Sequence, residues 1–291
     1  MRRGMTNCFF VSDLHGNIFR YQKLFRAIRA EKPGAVFIGG DFLPMPFDMP
    51  KSLNILRQDF IYSYLLKQLV RLRDELGNAY PRIFMTMGND DPRFEEAAVL
   101  DAATQGVWEY IHNRKTGFKN FEVYGYAYVP PTPFRLKDWE RYDVSRYVDP
   151  GCLSPEEGVR SFPVSDQEKR YATIQDDLAR LAGQENMKKA IFLLHSPPYK
   201  TTLDLAALEG RMIDHVPLDK HVGSIAIRRF IETRQPLLTL HGHIHESARL
   251  SLSWQDLIGR THCFSAAHDG PELALIRFDP GHLEGASRQL I

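Results

Sequence analysis

Cysteine is scarce in this chain. Cys8, Cys152 and Cys263 are odd in number and far apart, which excludes a disulfide framework and makes a reducing cytoplasm the expected location. Cys8 lies in an apolar run and reads as a small core residue. Net charge is nearly absent as well: 37 Lys and Arg stand against 36 Asp and Glu, a formal balance of +1. That balance gives no support to a nucleic-acid or membrane partner. Long apolar runs are missing too. The stretch from Cys8 to Val11 runs straight into Ser12-Asp13, too short for a signal-peptide core. No segment approaches the ~20 apolar residues that a membrane span needs. Nor is there an internal repeat or a low-complexity tract. At 43% hydrophobic and 25% charged residues, the composition is that of an ordinary globular protein and excludes extensive disorder. The expectation is one domain over residues 1–291, with an irregular Pro-rich insertion at about 130–163.

Short apolar runs alternate with helical spacing. Residues 8–11 read as a buried strand. Ile18, Tyr21, Leu24, Phe25 and Ile28 give a helix over 18–30, Pro33-Gly34 breaks the chain, and 35–38 is a second strand. Strand, helix, strand in this order predicts a parallel βαβ unit. Residues 42–50 read as a loop, 55–76 as a helix stopped by Gly77-Asn78, 83–87 as a strand, 94–103 as a helix and 121–129 as a strand. A capping box at Ser165 and Glu168 opens a helix over 165–181. Strands at 190–194 and 237–240 flank a helix over 223–233, and the tail carries strands at 263–265 and 273–278.

Five of these strands end in a polar cluster. The clusters are Asp13-Leu14-His15, Gly40-Asp41, Gly88-Asn89-Asp90, His195, and Gly242-His243-Ile244-His245. Alone, an Asp-Leu-His or a His-Ile-His is an ordinary loop, and Asn after Gly is an ordinary turn. Five in succession, each closing a strand, place ligand-type side chains at the carboxyl ends of a sheet, where open α/β folds bind. Imidazole with carboxylate and amide oxygen suits divalent transition metals and points away from a structural zinc site, which normally uses Cys. The D-x-H and H-x-H spacings put alternate residues on one side of an extended segment, and Asp41 is the natural bridging carboxylate between two ions. Two ions held close together can share a hydroxide and keep it nucleophilic at neutral pH.

This order of motifs resembles the calcineurin-like metallophosphoesterase superfamily, whose pattern is D-x-H, G-D, G-N-H-D/E, an isolated His, and G-H-x-H. The resemblance runs from residue 8 to about 247. It implies an α/β fold of two mixed β-sheets packed as a sandwich and flanked by helices, a four-layer α/β/β/α arrangement. It also implies one metal on Asp13, His15 and His245 and a second on Asn89, His195 and His243, with Asp41 bridging. The expected cofactors are two divalent ions among Mn, Fe, Ni and Zn, with Mn favoured. The expected catalytic residues are Asp41, Asn89, Asp90 and His195.

Two departures bear on activity. Asp90 stands where the family has the histidine that protonates the leaving group, which directs the expectation to a phosphodiesterase acting on a small phosphate ester or nucleotide-like substrate. Pro44 stands where the protein-phosphatase branch has Asp, which argues against a Ser/Thr protein phosphatase. A phosphomonoesterase or nucleotidase is the alternative, and a binding module that keeps its metals is a third reading. Asp91 before Pro92 reads as a helix N-cap. His241 reads as a supporting or core residue. Ser224 reads as an N-cap of a helix whose amino end is also suited to phosphate. Lys200, Arg135 and Arg228 are phosphate-contact candidates or surface charges. In the insertion, Phe134, Trp139, Tyr142 and Tyr147 are an aromatic wall for a base, a self-packed loop or a homodimer contact.

Overall fold

The computed structural model describes residues 7–44 and 59–291. Among these described residues, fourteen strands form two six-stranded sheets and one hairpin. From edge to edge the first sheet runs β14 (His282–Leu290), β13 (Ala274–Asp279), β1 (Cys8–Val11), β2 (Ala35–Gly39), β3 (Arg82–Thr86) and β4 (Glu109–Tyr110). The second runs β11 (Gln255–Ile258), β12 (Thr261–Ser265), β10 (Leu238–His241), β7 (Ala190–Leu194), β6 (Phe121–Tyr126) and β5 (Arg114–Phe118). Strands β1 to β4 are parallel in one sheet, and β12, β10, β7 and β6 are parallel in the other. Antiparallel strands complete one edge of the first sheet, β13 and β14, and both edges of the second, β11 and β5. The hairpin is β8 (Met212–Ile213) with β9 (Val216–Pro217).

Both faces of the central strands are buried, which is why they read as unbroken apolar runs rather than as an alternation. Alternate residues serve different layers. Phe10, Phe37, Phe84, Leu193, Leu240 and Phe264 meet between the sheets. Phe9, Val36, Ile38, Met85, Phe192 and Leu194 face outward and pack with Leu24, Ile28, Leu69, Leu178 and Ile227. Those five come from the outer helices α1 (Ile18–Glu31), α2 (Lys67–Leu76), α5 (Ile174–Ala182) and α6 (Ile225–Arg234). Shorter helices are α3 (Glu96–Ala103), α4 (Asp166–Tyr171) and α7 (Ser247–Ser251). The result is the expected four-layer sandwich of two mixed sheets between helices. No helix of the described residues is long and apolar enough to cross a membrane.

Several boundaries differ from the sequence expectation. Part of the helix expected over 55–76 and part of the loop over 42–50 fall outside the described residues. From Ile61 the helix opens on six residues in π geometry before becoming α2. The helix expected over 165–181 is two. Ile174 N and Gln175 N donate to the carbonyls of Tyr142 and Asp143, so the backbone leaves the helix at Ala172 and restarts with Thr173 as a new cap. Ser165 does cap Glu168 N. The Glu168 carboxylate does not return the bond to Ser165; it meets Arg141 and the Tyr128 hydroxyl instead.

Residues 130–163 hold no helix or strand. They are nevertheless tightly built. Trp139, Lys137, Asp138 and Glu140 are fully buried. Lys137 Nζ donates to Glu140 Oε2 at 2.5 Å and to Thr132 O at 2.8 Å, and Asp138 accepts from Arg93 N and Ser161 N, each at 2.8 Å. Trp139 and Tyr142 are buried, so they cannot belong to an aromatic wall with the exposed Phe134 and Tyr147.

Candidate metal centre

All five clusters leave the carboxyl ends of parallel strands: β1, β2 and β3 of the first sheet, and β7 and β10 of the second. The structure brings them together across the sandwich. Asp13, His15, Asp41 and His245 each offer a ligand-type atom, and these atoms lie within 4.8 Å of one another. His15 Nε2 and His245 Nε2 are 3.2 Å apart, and His245 Nε2 is 3.4 Å from Asp13 Oδ1. On the other side of Asp41, His195 Nε2 lies 3.1 Å from Asp41 Oδ2 and 3.1 Å from Asn89 Oδ1. The His243 ring is centred 5.3 Å from that of His195. Asp13, Asp41, Asn89 and His195 are buried, while His15, His243, His245 and Asp90 are partly exposed and form the open side.

The convergence does not come from a pleat. Asp13, His15, Asp41 and His243 have φ of 55°, 45°, 49° and 74°, in the left-handed region that Asp and His enter more readily than most residues. The clusters after β1, β2 and β10 therefore turn sharply off their strands, and their ligand atoms swing inward. Backbone bonds hold these turns in pairs: Asp13 N to Gly40 O, His15 N to Asp41 O, and Gly16 N to Phe42 O. Three glycines are needed for the approach, one of them Gly88, where a Cβ would come 2.3 Å from Asp41 Oδ1. At Gly40, where φ is +95°, a Cβ would come 2.6 Å from His195 Nδ1; at Gly242 it would come 2.0 Å from Ser12 Oγ and 2.7 Å from Asp13 Oδ2.

The neighbours of the cluster orient it. His195 Nδ1 donates to Gly39 O at 2.7 Å, which leaves Nε2 directed at Asp41 and Asn89. Asn89 Nδ2 donates to Asp90 Oδ1 at 3.0 Å, so its Oδ1 faces His195. Asp90 N donates to Asp41 Oδ1 at 2.8 Å, and His243 N to Asp13 Oδ1 at 3.1 Å. Among the described residues, two buried atoms of the cluster are left without a hydrogen-bond partner, Asp13 Oδ2 and His15 Nδ1.

The electrostatics describe carboxylates that demand positive charge. Burial pushes Asp13 up, but the hydrogen bond and charge of His245, with His195 and His15, pull it well below the usual carboxylate range. Burial opposes ionisation of Asp41 too, and His195 outweighs it. Burial lowers both His195 and His245, yet the facing carboxylates raise them to about 10 and about 9. Burial, then the charge of His195, takes His243 down to about 3. Asp90 is pushed up to about 7 by burial and by Asp41. A buried set of carboxylate oxygens, imidazoles and one amide oxygen, with orphaned lone pairs, fits divalent cations.

Other expectations fare unevenly. His241 is buried, with Nδ1 on Ser196 O at 2.8 Å and Nε2 on Thr239 Oγ1 at 2.7 Å, so it supports the β7 and β10 turns and faces no ligand. Ser224 caps α6 as expected. That helix end is not open to phosphate, because the Asp143 carboxylate already takes Ile225 N at 2.6 Å and Ser224 Oγ at 2.5 Å. Arg228 is held by Glu232 and the carbonyl of Lys200. Asp91 is not a helix cap: its carboxylate accepts from Gly88 N, Leu43 N and Phe42 N, tying the Asn89 turn to the Asp41 turn. The sequence reading missed Arg20, whose guanidinium holds Asp13 O and Gly270 O. No motif marks it, because a side chain that reaches back seven residues to a carbonyl leaves no pattern.

Residues 7–247 match the model of the calcineurin-like phosphoesterases. The chain belongs to that family. Its members are phosphoester hydrolases, and the matched span contains every cluster described above. A solved structure 16% identical, covering 98% of this chain and 99% of its own, superposes with a TM-score of 0.60. The crystal structure of TT1561 of Thermus thermophilus, 15% identical with the same coverage, gives 0.54. These likenesses establish the shared fold. No curated protein matches the sequence.

Proposed function

We propose that this calcineurin-like phosphoesterase is a phosphodiesterase working with two divalent transition-metal ions, manganese favoured, on a small or nucleotide-like phosphate ester. The reading rests on one observation above all. Asp41 stands between two donor sets, with Asp13, His15 and His245 on one side and Asn89 and His195 on the other. In this reading Asp13, His15 and His245 hold one ion, Asn89, His195 and His243 hold the second, and Asp41 serves both. When bound, the ions would lower the pKa of a water and offset charge growing on the phosphoryl oxygens.

The chain's own groups do the orienting. Gly39 O fixes the His195 ring, and Asp90 turns the Asn89 amide so that its oxygen faces the centre. Asp90 stands where the family's leaving-group histidine is expected. Its Oδ1 is engaged by Asn89, which leaves Oδ2 on the open side to hand a proton to a departing oxygen. The departure from the family's histidine at this position is what inclines the reading towards diesters over simple monoesters.

Purified protein with added Mn²⁺ should hydrolyse bis(p-nitrophenyl) phosphate faster than p-nitrophenyl phosphate, and His195→Ala should abolish turnover. Asp90→Asn should slow esters with poor leaving groups far more than those with good ones. Equal turnover in excess chelator overturns the metal-dependent reading. A faster monoester reaction overturns the diester preference alone.

A further inference from the structure

The metal-centre residues come from two different sheets, and one side chain outside all five motifs joins them. Arg20 lies on α1 and is partly buried. Its Nη1 donates to the carbonyl of Asp13 at 2.6 Å, and its Nη2 to the carbonyl of Gly270 at 2.5 Å. Asp13 follows β1 of the first sheet. Gly270 sits in the connection that leaves β12 of the second sheet and enters β13 of the first. That loop is anchored at its base by Ala266 N on His241 O, two residues before His243, and by Arg288 on Ala267 O at 2.9 Å. Further along, Asp269 pairs with Arg249 of α7, four residues after His245, at 2.7 Å. His268 and Glu272 close the loop with a 2.9 Å contact.

Asp13 has φ of 55°. In that left-handed turn its carbonyl and its Cβ leave the same Cα, so fixing the carbonyl fixes where the carboxylate side chain starts. A guanidinium gripping the carbonyl therefore restrains the base of the carboxylate side chain, whose Oδ1 accepts His243 N and approaches His245. Planar, two-donor geometry matters here, since one group must span two carbonyls on separate segments.

We propose that Arg20 is a positioning residue for the metal centre. With the 268–272 loop it forms a clasp that holds Asp13 of one sheet at coordinating distance from His243 and His245 of the other. The inference rests on the metal-centre reading given above, and it adds a determinant of metal affinity that touches neither ion nor substrate.

The test is a titration of full-length metal-free protein with Mn²⁺ by calorimetry, and with Co²⁺ by visible absorption, for wild type, Arg20→Met, Arg20→Lys and Asp269→Asn. Arg20→Met should weaken binding about 10- to 100-fold, the range for partners that orient a ligand, and alter the Co²⁺ spectrum. Its melting temperature in chelator should stay close to that of wild type. Arg20→Lys reaches one carbonyl only and should recover part of the affinity. Asp269→Asn, which loosens the loop without touching Arg20, should give a smaller loss and serves as the measurement if Arg20→Met does not fold. Wild-type affinity in both Arg20→Met and Asp269→Asn overturns the clasp. So does an affinity loss matched by an equal loss of stability in chelator, which is the signature of a purely structural tie. Failure of wild type itself to bind either metal overturns the metal-centre reading, and the clasp with it.

Discussion

At the strand ends, Asp13, Asp41, Asn89 and His195 are buried facing one another, and Asp13 Oδ2 and His15 Nδ1 have no hydrogen-bond partner among the described residues. In residues 130–163, Lys137, Asp138 and Glu140 are buried as deeply, but there each charge is answered from within the chain. Glu140 takes Lys137, Thr132 N and Thr132 Oγ1, and Asp138 takes Arg93 N together with the backbone and hydroxyl of Ser161. Asp143 is spent on the end of α6. A buried charge set that closes on itself is architecture. One with open lone pairs and strained turns is arranged for something brought from outside.

The sharpest way to break this contrast is to open the closed set. Lys137→Met strands Glu140 in the interior and should cost about 3–5 kcal/mol, read by urea unfolding, while Lys137→Met with Glu140→Leu should recover most of it. An equal loss in the double variant would mean that the pair is not self-compensating. The complementary change at the open set is Asp41→Asn, which keeps the shape and removes one charge. It should lower metal-dependent turnover by about 10² to 10³, the scale of losing one transition-state-stabilising group, with a loss of stability in chelator well below that of Lys137→Met. A fall in chelator stability comparable to that of Lys137→Met would erase the distinction.

A third prediction uses pH. His112 packs against Trp139, with ring centroids 4.9 Å apart, and its Nδ1 accepts Ala127 N at 3.0 Å. Burial first, then Arg141, Arg93 and Arg114, takes its pKa down to about 3. Because the folded value lies below the unfolded one of about 6.5, its contribution is complete above that pH and is lost as pH falls towards 3. Stability should be about 2 kcal/mol lower at pH 5 than at neutral pH on this account, and His112→Asn should flatten that slope. An unchanged slope would mean that His112 is not held neutral by its burial against Trp139. The smallest effect is expected at Asp143→Ala. Losing this cap should cost about 1 kcal/mol. The freed helix end should then let phosphate raise the melting temperature of the variant more than that of wild type.

Much of the fold was legible because the central strands are buried on both faces and stand out as apolar runs. The strands left unread are edges. Arg114–Phe118, Gln255–Ile258 and His282–Leu290 are polar and largely exposed, and pairing with a neighbour defines them more than pattern does. The break at Thr173 was hidden for a related reason, since the bonds that cause it come from Tyr142 and Asp143, far away in sequence. At the candidate site, residue types and order were legible and the route to convergence was not. The D-x-H spacing suggested a pleat, whereas left-handed turns bring the atoms together. The Asp-Pro pair at Asp91 signalled a cap, but the same carboxylate is better satisfied by three backbone N–H groups from two turns.

The left-handed turns also limit how this site can be re-engineered. At positions 13, 15, 41 and 243 the backbone accepts Asp, Asn or His more readily than other side chains, and β-branched residues least of all. Attempts to change metal preference by introducing thiolates would meet that conformational bias before any question of coordination arises. Exchange among carboxylate, amide and imidazole would not. The chemical alphabet available for retuning this centre is thus set by chain geometry, and directed libraries gain most by drawing on those three residue types at the turns and varying freely only at Asn89, His195 and His245.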